Sequence, residues 1–243
     1  MDKPDPDSPP VPTDSVQAFA LGIAGLAHDL RAPVAAIHAA TELLAQDLDR
    51  LDPADIRQMA QTIHRGTRRL EQLTDNLHSF LALRSGQLAV HPVPLDLGAL
   101  LEECAATAGP VLAAQAQPWA VQQATPLPLV LADRQLIDRA LMNLLTNASK
   151  FAPPGSRIEG VVAPVGDYVR VAIQDRGPGV PPGDTARLFE PFYQAPSTPT
   201  HHGVGLGLAI VRAIVEAHDG QVGAETRHGG GARVWFQLPA VRA

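Results

Sequence analysis

The sequence predicts a multidomain chain, an α-helical hairpin followed by an α+β domain. Three observations point there. Two long amphipathic stripes lie in the first third of the chain, joined by a short Asp-Pro restart. Ser85-Gly86 ends the second stripe, and beyond it short β-like segments alternate with helical ones. The last two β-like segments turn around Gly229-Gly230-Gly231. At 243 residues the chain has room for one large domain or two smaller ones.

Residues 1–13 are rich in Pro, Asp and Ser and are expected to form a disordered tail. Asp14 offers a helix N-cap, with Gln17 three residues on. A stripe then follows at Phe19, Ile23, Leu26, Leu30, Val34, Ile37, Leu44, Leu48 and Leu51, with Thr41 as its polar place. Pro33 should loosen this helix locally. Asp52-Pro53 restarts the chain as N-cap and first helical residue. A second stripe runs through Ile56, Met59, Ile63, Leu70, Leu73, Leu77 and Phe80. So short a connection makes the helices antiparallel neighbours, and each still has an apolar face to cover. Residues 14–85 are therefore expected to pair as a homodimeric four-helix bundle.

Residues 86–96, with Gly86, Pro92 and Pro94, read as a hinge, and residues 97–243 as the second domain. Within it, Leu97–Ala114 reads as a helix, Trp119–Ala124 and Leu129–Ala132 as short strands, and Arg134–Phe151 as a helix closed by Pro153-Pro154-Gly155. Ile158–Val165 and Tyr168–Asp175 form a hairpin turning at Gly166-Asp167. Gly207–His218 is helical, and Gln221–Glu225 with Ala232–Leu238 make the closing hairpin. Several antiparallel strands with interspersed helices are expected. No internal repeat is visible.

Composition excludes several functions. Hydrophobic residues at 45% and charged ones at 18% suit a folded soluble chain. Nineteen Lys and Arg against 25 Asp and Glu give a net charge of −6, which disfavours nucleic acid or an anionic membrane as partner. Cys104 is the sole cysteine, so intrachain disulfides and thiolate metal clusters are excluded, and a reducing, cytoplasmic location fits. Cys104 itself reads as a small buried apolar residue. The longest weakly polar stretch noted, Val16–Ala27, is shorter than the ~20 residues of a membrane span, and the acidic start lacks the pattern of a signal peptide. The chain reads as a complete soluble protein or a soluble piece of a larger one.

Of nine histidines, His28 stands apart. It lies two residues after Leu26 and two before Leu30, about 200° around the helix from each, so it points away from the apolar seam. Asp29 is next to it. A nucleophilic imidazole must be neutral with one nitrogen free. A carboxylate holding the Nδ1 proton would leave the Nε2 lone pair outward. His38, His64, His78 and His218 need no such role, and adjacent His201-His202 lack the acidic or thiolate neighbours of a metal site.

Two glycine clusters follow in the second domain. Asp175-Arg176-Gly177-Pro178-Gly179 comes after a strand, and Gly203-Val204-Gly205-Leu206-Gly207-Leu208 opens a helix. Glycines let backbone amides approach phosphate, and a helix start adds favourable potential. No Lys-Ser/Thr follows, so this is no Walker A loop, and its place outside a βαβ unit excludes a dinucleotide fingerprint. On the Arg134–Phe151 helix, Asn143, Asn147 and Lys150 share one face by steps of four and three. An amide oxygen can ligate Mg²⁺, and an ammonium can meet phosphate oxygens.

The combination resembles the HisKA-type sensor histidine kinases of two-component signalling, within the GHKL ATP-binding superfamily. Ala27-His28-Asp29-Leu30-Arg31-Ala32-Pro33 resembles their H-box, Asn143–Phe151 the N-box, and Asp175-x-Gly177-x-Gly179 the G1 box. Leu188-Phe189-Glu190-Pro191-Phe192 resembles the F-box, and Gly203–Leu208 the G2 box. Five motifs in order make this specific, and it covers the chain from about residue 15 to its end.

The resemblance implies a dimeric helical hairpin followed by an α/β-sandwich of the Bergerat type, shared with gyrase and Hsp90. It implies ATP and Mg²⁺ as cofactors and the receiver domain of a response regulator as partner. By the same resemblance His28 is the phosphoacceptor and Asp29 its proton partner. Asn147 holds Mg²⁺, Asn143 lines the phosphate site and Lys150 contacts phosphates. Asp175 accepts from the adenine amino group, with Gly177 and Gly179 letting the chain pass the nucleotide. Gly203, Gly205 and Gly207, with Leu208, form the phosphate cradle, and residues 194–202 a mobile lid. Family members that are also phosphatases carry Thr or Asn four residues after the histidine; Ala32 stands there and implies weak phosphatase activity. Two other readings compete: a degenerate kinase-like scaffold, and a related ATPase. The ATPases commonly carry Glu where Asn143 stands, and an amide is no general base.

Overall fold

The computed structural model describes residues 13–47, 50–84, 89–195 and 205–241. The expectations about the tail, the lid segment 196–202 and Gly203 therefore lie outside the described residues. Two compact units divide between Leu73 and Thr74, inside the second helix and ahead of the boundary expected near residue 85.

Helix α1 runs over Thr13–Asp47 and α2 over Pro53–Arg84. Asp14 lies inside α1 rather than capping it. Pro33 leaves α1 continuous. Asp52 caps α2 as its sequence demands: its Oδ1 accepts from the Ala54 N–H at 2.7 Å and the Asp55 N–H at 2.8 Å. The helices of the hairpin meet where α2 carries Gly66. A Cβ there would stand 2.6 Å from Ile37 Cγ1 and 3.3 Å from the Pro33 carbonyl. Seam residues such as Leu30, Ile37, Leu44, Ile56, Ile63 and Leu70 are half-buried. Ala40 and Leu73 are its fully buried apolar side chains among the described residues. Val34, placed on the predicted seam, is 51% exposed, and Leu43 is 47% exposed.

The second unit is built differently. Strand β1 (Val93–Leu95) pairs antiparallel with β3 (Val130–Ala132) in a two-stranded ribbon. β1 falls in the segment read as hinge, where Pro92 and Pro94 disguise it; an edge strand tolerates proline because one side needs no ladder donor. Helix α3 (Leu97–Ala114) starts at Asp96, whose Oδ1 accepts from the Gly98 and Ala99 N–H groups. By length and composition α3 could cross a membrane, so the longest weakly polar stretch is this one rather than Val16–Ala27. Here Leu97, Leu100, Leu101, Cys104, Ala108 and Leu112 bury it in the core. The Cys104 thiol lies 3.2 Å from Asp138 Oδ1, and burial, first, with that carboxylate pushes its pKa up.

The main sheet has the order β2-β4-β5-β7-β6, with β2 at Trp119–Gln123, β4 at Ile158–Val165, β5 at Tyr168–Gln174, β6 at Gln221–Thr226 and β7 at Ala232–Pro239. All pairs are antiparallel except β2 with β4, which are parallel. The parallel pair stands beside the several antiparallel strands expected. A parallel pair needs a crossover, and here the chain between them includes β3 and helix α4 (Arg134–Phe151). Alternate residues Ile158, Val162, Val169, Val171, Ile173, Phe236 and Leu238 are fully buried. A Cβ at Gly160 would meet Leu101 of α3, and one at Gly220 would meet Leu238 and Val215 of helix α5 (Gly207–Glu216). On the other face Arg170 stacks 3.9 Å above the Trp235 ring and bonds Gln237 Oε1.

Candidate functional site

Helix α4 carries the polar face read from the sequence. Its other face buries Ile137, Ala140, Leu141, Leu144, Leu145 and Ala148. Both ends are pinned. At the start, Asp133 Oδ1 accepts from the Gln135 and Leu136 N–H groups, and Oδ2 accepts from the His91 N–H at 3.0 Å. The Asp133 N–H donates to His218 Nε2 at 2.9 Å, while His218 Nδ1 donates to the Ile214 carbonyl of α5. At the far end, buried Gln117 donates to the Ser149 and Ala152 carbonyls and accepts from Ser149 Oγ at 2.6 Å.

Between these anchors stand Asn143 and Asn147, both half-buried. Gly207 opens α5 directly against them. A Cβ built there would lie 3.5 Å from Asn143 Oδ1 and 3.7 Å from Asn147 Nδ2. Asn143 Nδ2 is buried with no hydrogen-bond partner. A buried amide donor left unpaired costs ~1–3 kcal/mol, so it belongs to a place made for a polar group. Lys150 sits half-buried in the last turn of α4, its Nζ 4.9 Å from the Phe151 ring centroid. Leu208 is half-buried in the first turn of α5.

Gly205 has φ +72° and lies against the backbone of Phe192 and Tyr193. The Phe192 N–H donates to its carbonyl at 2.9 Å. The F-box-like and G2-like segments thus meet at their backbones.

Asp175 follows β5 and is buried. Its Oδ1 accepts from the Gly177 N–H at 2.7 Å and the Ala232 N–H at 3.1 Å. Burial lifts its carboxyl above the usual carboxylate range, while the Ala232 and Gly177 amides and the Arg227 charge draw it back. Gly177 is glycine for a packing reason: a Cβ would stand 2.7 Å from the Phe151 carbonyl at the end of α4. Gly179 has φ +83°, and the residue after it is fastened by Thr226, whose Oγ1 accepts from the Val180 N–H and donates to the Val180 carbonyl.

The structure thus brings Asn143, Asn147 and Gly207 together, and sets Asp175 and Gly177 beside the end of the same helix. In α1, Asp29 is half-buried; His28 is helical, but its side chain lies outside the described residues. Sequence reasoning missed Gln117, Thr226, Arg227 and Gly231. Gly231 presses on the Asp175 carbonyl. The Gly229–Gly231 run, with φ near +90° throughout, was read as a turn only. The other three have no local signature, because their partners are distant in sequence.

The chain matches two family models. The one described as "Histidine kinase-, DNA gyrase B-, and HSP90-like ATPase" covers residues 132–242. The one described as "His Kinase A (phospho-acceptor) domain" covers residues 23–86. Sensor protein KdpD of Escherichia coli (strain K12) is 34% identical over 89% of this chain and 24% of its own length. The structure of full-length ShkA in complex with AMPPNP is similar with a TM-score of 0.68 and 28% identity, over 93% of this chain and 46% of that one. Histidine kinase ThkA in complex with response regulator protein TrrA shares the fold, with a TM-score of 0.71 and 22% identity over 94% of this chain and 64% of that one. The chain spans less than two thirds of the length of the curated relatives it matches.

Proposed function

The chain belongs to the HisKA-type histidine kinases of the GHKL superfamily, and from that premise we propose that it is an ATP-dependent kinase core that phosphorylates its own His28. The phosphoryl group then passes to an aspartate of a response regulator receiver domain. One observation carries the nucleotide half of this reading: Gly207 faces the two amides of α4, with Asn143 Nδ2 buried and unpaired. That is a polar pocket wall at a helix N-terminus, where backbone N–H groups favour phosphate.

The residues present fit the family's ligands. Asp175 Oδ2 takes neither of the amides that hold Oδ1, so it is available to the adenine amino group. Lys150 and the amides opening α5 suit the phosphates. Asn147, with Asn143 beside it, offers the neutral oxygen that a hard cation accepts. Mg²⁺ held there would offset the phosphate charge. Gly179 and Gly205 supply the positive-φ backbone beside the nucleotide.

Phosphoryl transfer asks mainly for positioning and charge neutralisation. His28 Nε2 forms the bond to the γ-phosphorus as the bond to the β–γ bridging oxygen breaks and ADP leaves. Asp29 holds the Nδ1 proton and stabilises the imidazolium that develops. In the second transfer the P–N bond breaks and a carboxylate oxygen of the regulator takes the phosphoryl group. A homodimer through residues 14–85 covers the exposed seam position Val34, and a cytoplasmic setting supplies the ATP.

Incubation with γ-labelled ATP and Mg²⁺ tests this. The expected result is acid-labile, base-stable label on the wild type and none on His28→Ala or Asn147→Ala. Label added to a cognate regulator should persist, because Ala32 offers no group to orient a water. Wild type that binds ATP without taking label would instead favour a nucleotide-binding scaffold.

A further inference from the structure

Asp175 is held at its backbone as well as its side chain. Its N–H donates to the Ala232 carbonyl at 3.0 Å. Its own carbonyl accepts from Arg227 Nη1 at 3.0 Å. With Oδ1 taken by two amides, Oδ2 is the oxygen that none of these bonds uses.

Arg227 enters from the connection between β6 and β7, and it is itself fixed. Its Nη2 donates to Glu159 Oε2 of β4 at 2.8 Å, and both side chains are only 15% exposed. Its N–H donates to the Gly231 carbonyl at 2.9 Å, and its carbonyl accepts from the Gly230 N–H at 3.1 Å. One guanidinium therefore ties Asp175 to a carboxylate on β4. A planar fork donates in two fixed directions at once, which a lysine ammonium does not reproduce. An ion pair serving the sheet alone would not need its second arm on the carbonyl of this residue.

We propose that Arg227, oriented by Glu159, is a positioning residue for selection of the purine base: it sets the Asp175 backbone so that Oδ2 meets the exocyclic amino group of the nucleotide. This rests on the reading of Asp175 as the adenine acceptor. In this role Arg227 acts through Asp175.

The test compares ATP with inosine triphosphate, which keeps the ribose and phosphates but carries an oxo group in place of the amino group. Dissociation constants are measured by equilibrium dialysis on the full chain, as wild type, Arg227→Met, Arg227→Lys and Glu159→Gln. Wild type should prefer ATP. Arg227→Met should reduce that preference about tenfold by weakening ATP while inosine triphosphate binds as before. Arg227→Lys and Glu159→Gln should fall between. Retained inosine triphosphate binding reports a folded site, so a general loss of structure would not alter the ratio. Variants that bind inosine triphosphate normally and keep the wild-type ratio overturn the proposal. If Arg227→Met binds neither nucleotide, the two milder variants decide by the same ratio. A wild type without preference overturns the Asp175 reading itself, and this inference with it.

Discussion

The hairpin and the sheet-containing unit solve the burial problem in opposite ways. In the second unit, helices α3, α4 and α5 and the five-stranded sheet bury whole side chains such as Phe236, Leu141 and Ile210. In the hairpin, Ala40, Leu73 and the backbone at Gly66 are covered, while Val34 and Leu43 face outward. Two helices have one shared face, so an amphipathic stripe wider than that face has nowhere to go within one chain. The second unit buries its core as a single copy, whereas the exposed seam of the hairpin would be covered in the proposed dimer. The region that carries the proposed phosphoacceptor is then the one expected to depend on association.

The sharpest way to break this contrast is to charge the exposed position of the seam. Val34→Glu should abolish the proposed dimer in sedimentation velocity yet leave ATP affinity at the wild-type value. Loss of nucleotide binding in that variant would mean the units do not separate as described. A cavity in the other core comes next. Leu145→Ala removes a fully buried side chain of α4 and should destabilise the nucleotide-binding unit by ~2–5 kcal/mol in urea titration, with the dimer intact.

The smallest expected effect compares one device used in both regions. Asp52 and Asp133 each cap a helix through two backbone N–H groups. Asp52→Ala should cost about 1 kcal/mol. Asp133→Ala should cost more, because Asp133 also accepts from the His91 N–H. Burial pushes the Asp133 carboxyl up, but the His91, Leu136 and Gln135 amides and His218 outweigh it, and the net shift is downward from 3.8. A depressed folded pKa contributes stability that is present above the unfolded value and lost as pH falls through the folded one. The gap between wild type and Asp133→Ala should therefore narrow below about pH 3.8 in thermal unfolding.

What could be read from the sequence follows the range of the forces involved. Helix α4 matches its expected limits at both ends, Arg134 and Phe151, because a capping Asp133 and the Pro153-Pro154-Gly155 stop act within a few residues. Strands β4 and β5 were legible from alternation and the Gly166-Asp167 turn, within one residue at the end of β5. Strand β1 was not, since Val93-Pro94-Leu95 is a strand only by virtue of β3, more than thirty residues on. The parallel β2–β4 pair was hidden for the same reason. In the candidate site, Asn143 and Asn147 announced themselves as unusual polar residues inside a helix, and Asp175 by the glycines that follow it. Arg227 and Glu159 did not, because an ion pair between β4 and a distant hairpin leaves no local pattern.

The bond from the Phe192 N–H to the Gly205 carbonyl has a consequence in polymer terms. Phe192 and Gly205 are thirteen residues apart in sequence, and this bond closes the chain on itself between them. The entropy of such a closure grows only with the logarithm of the length enclosed, about 0.6 kcal/mol for each doubling. The joined backbones lie two residues ahead of Gly207, so the closure itself, rather than the number of residues it encloses, fixes where α5 begins against Asn143.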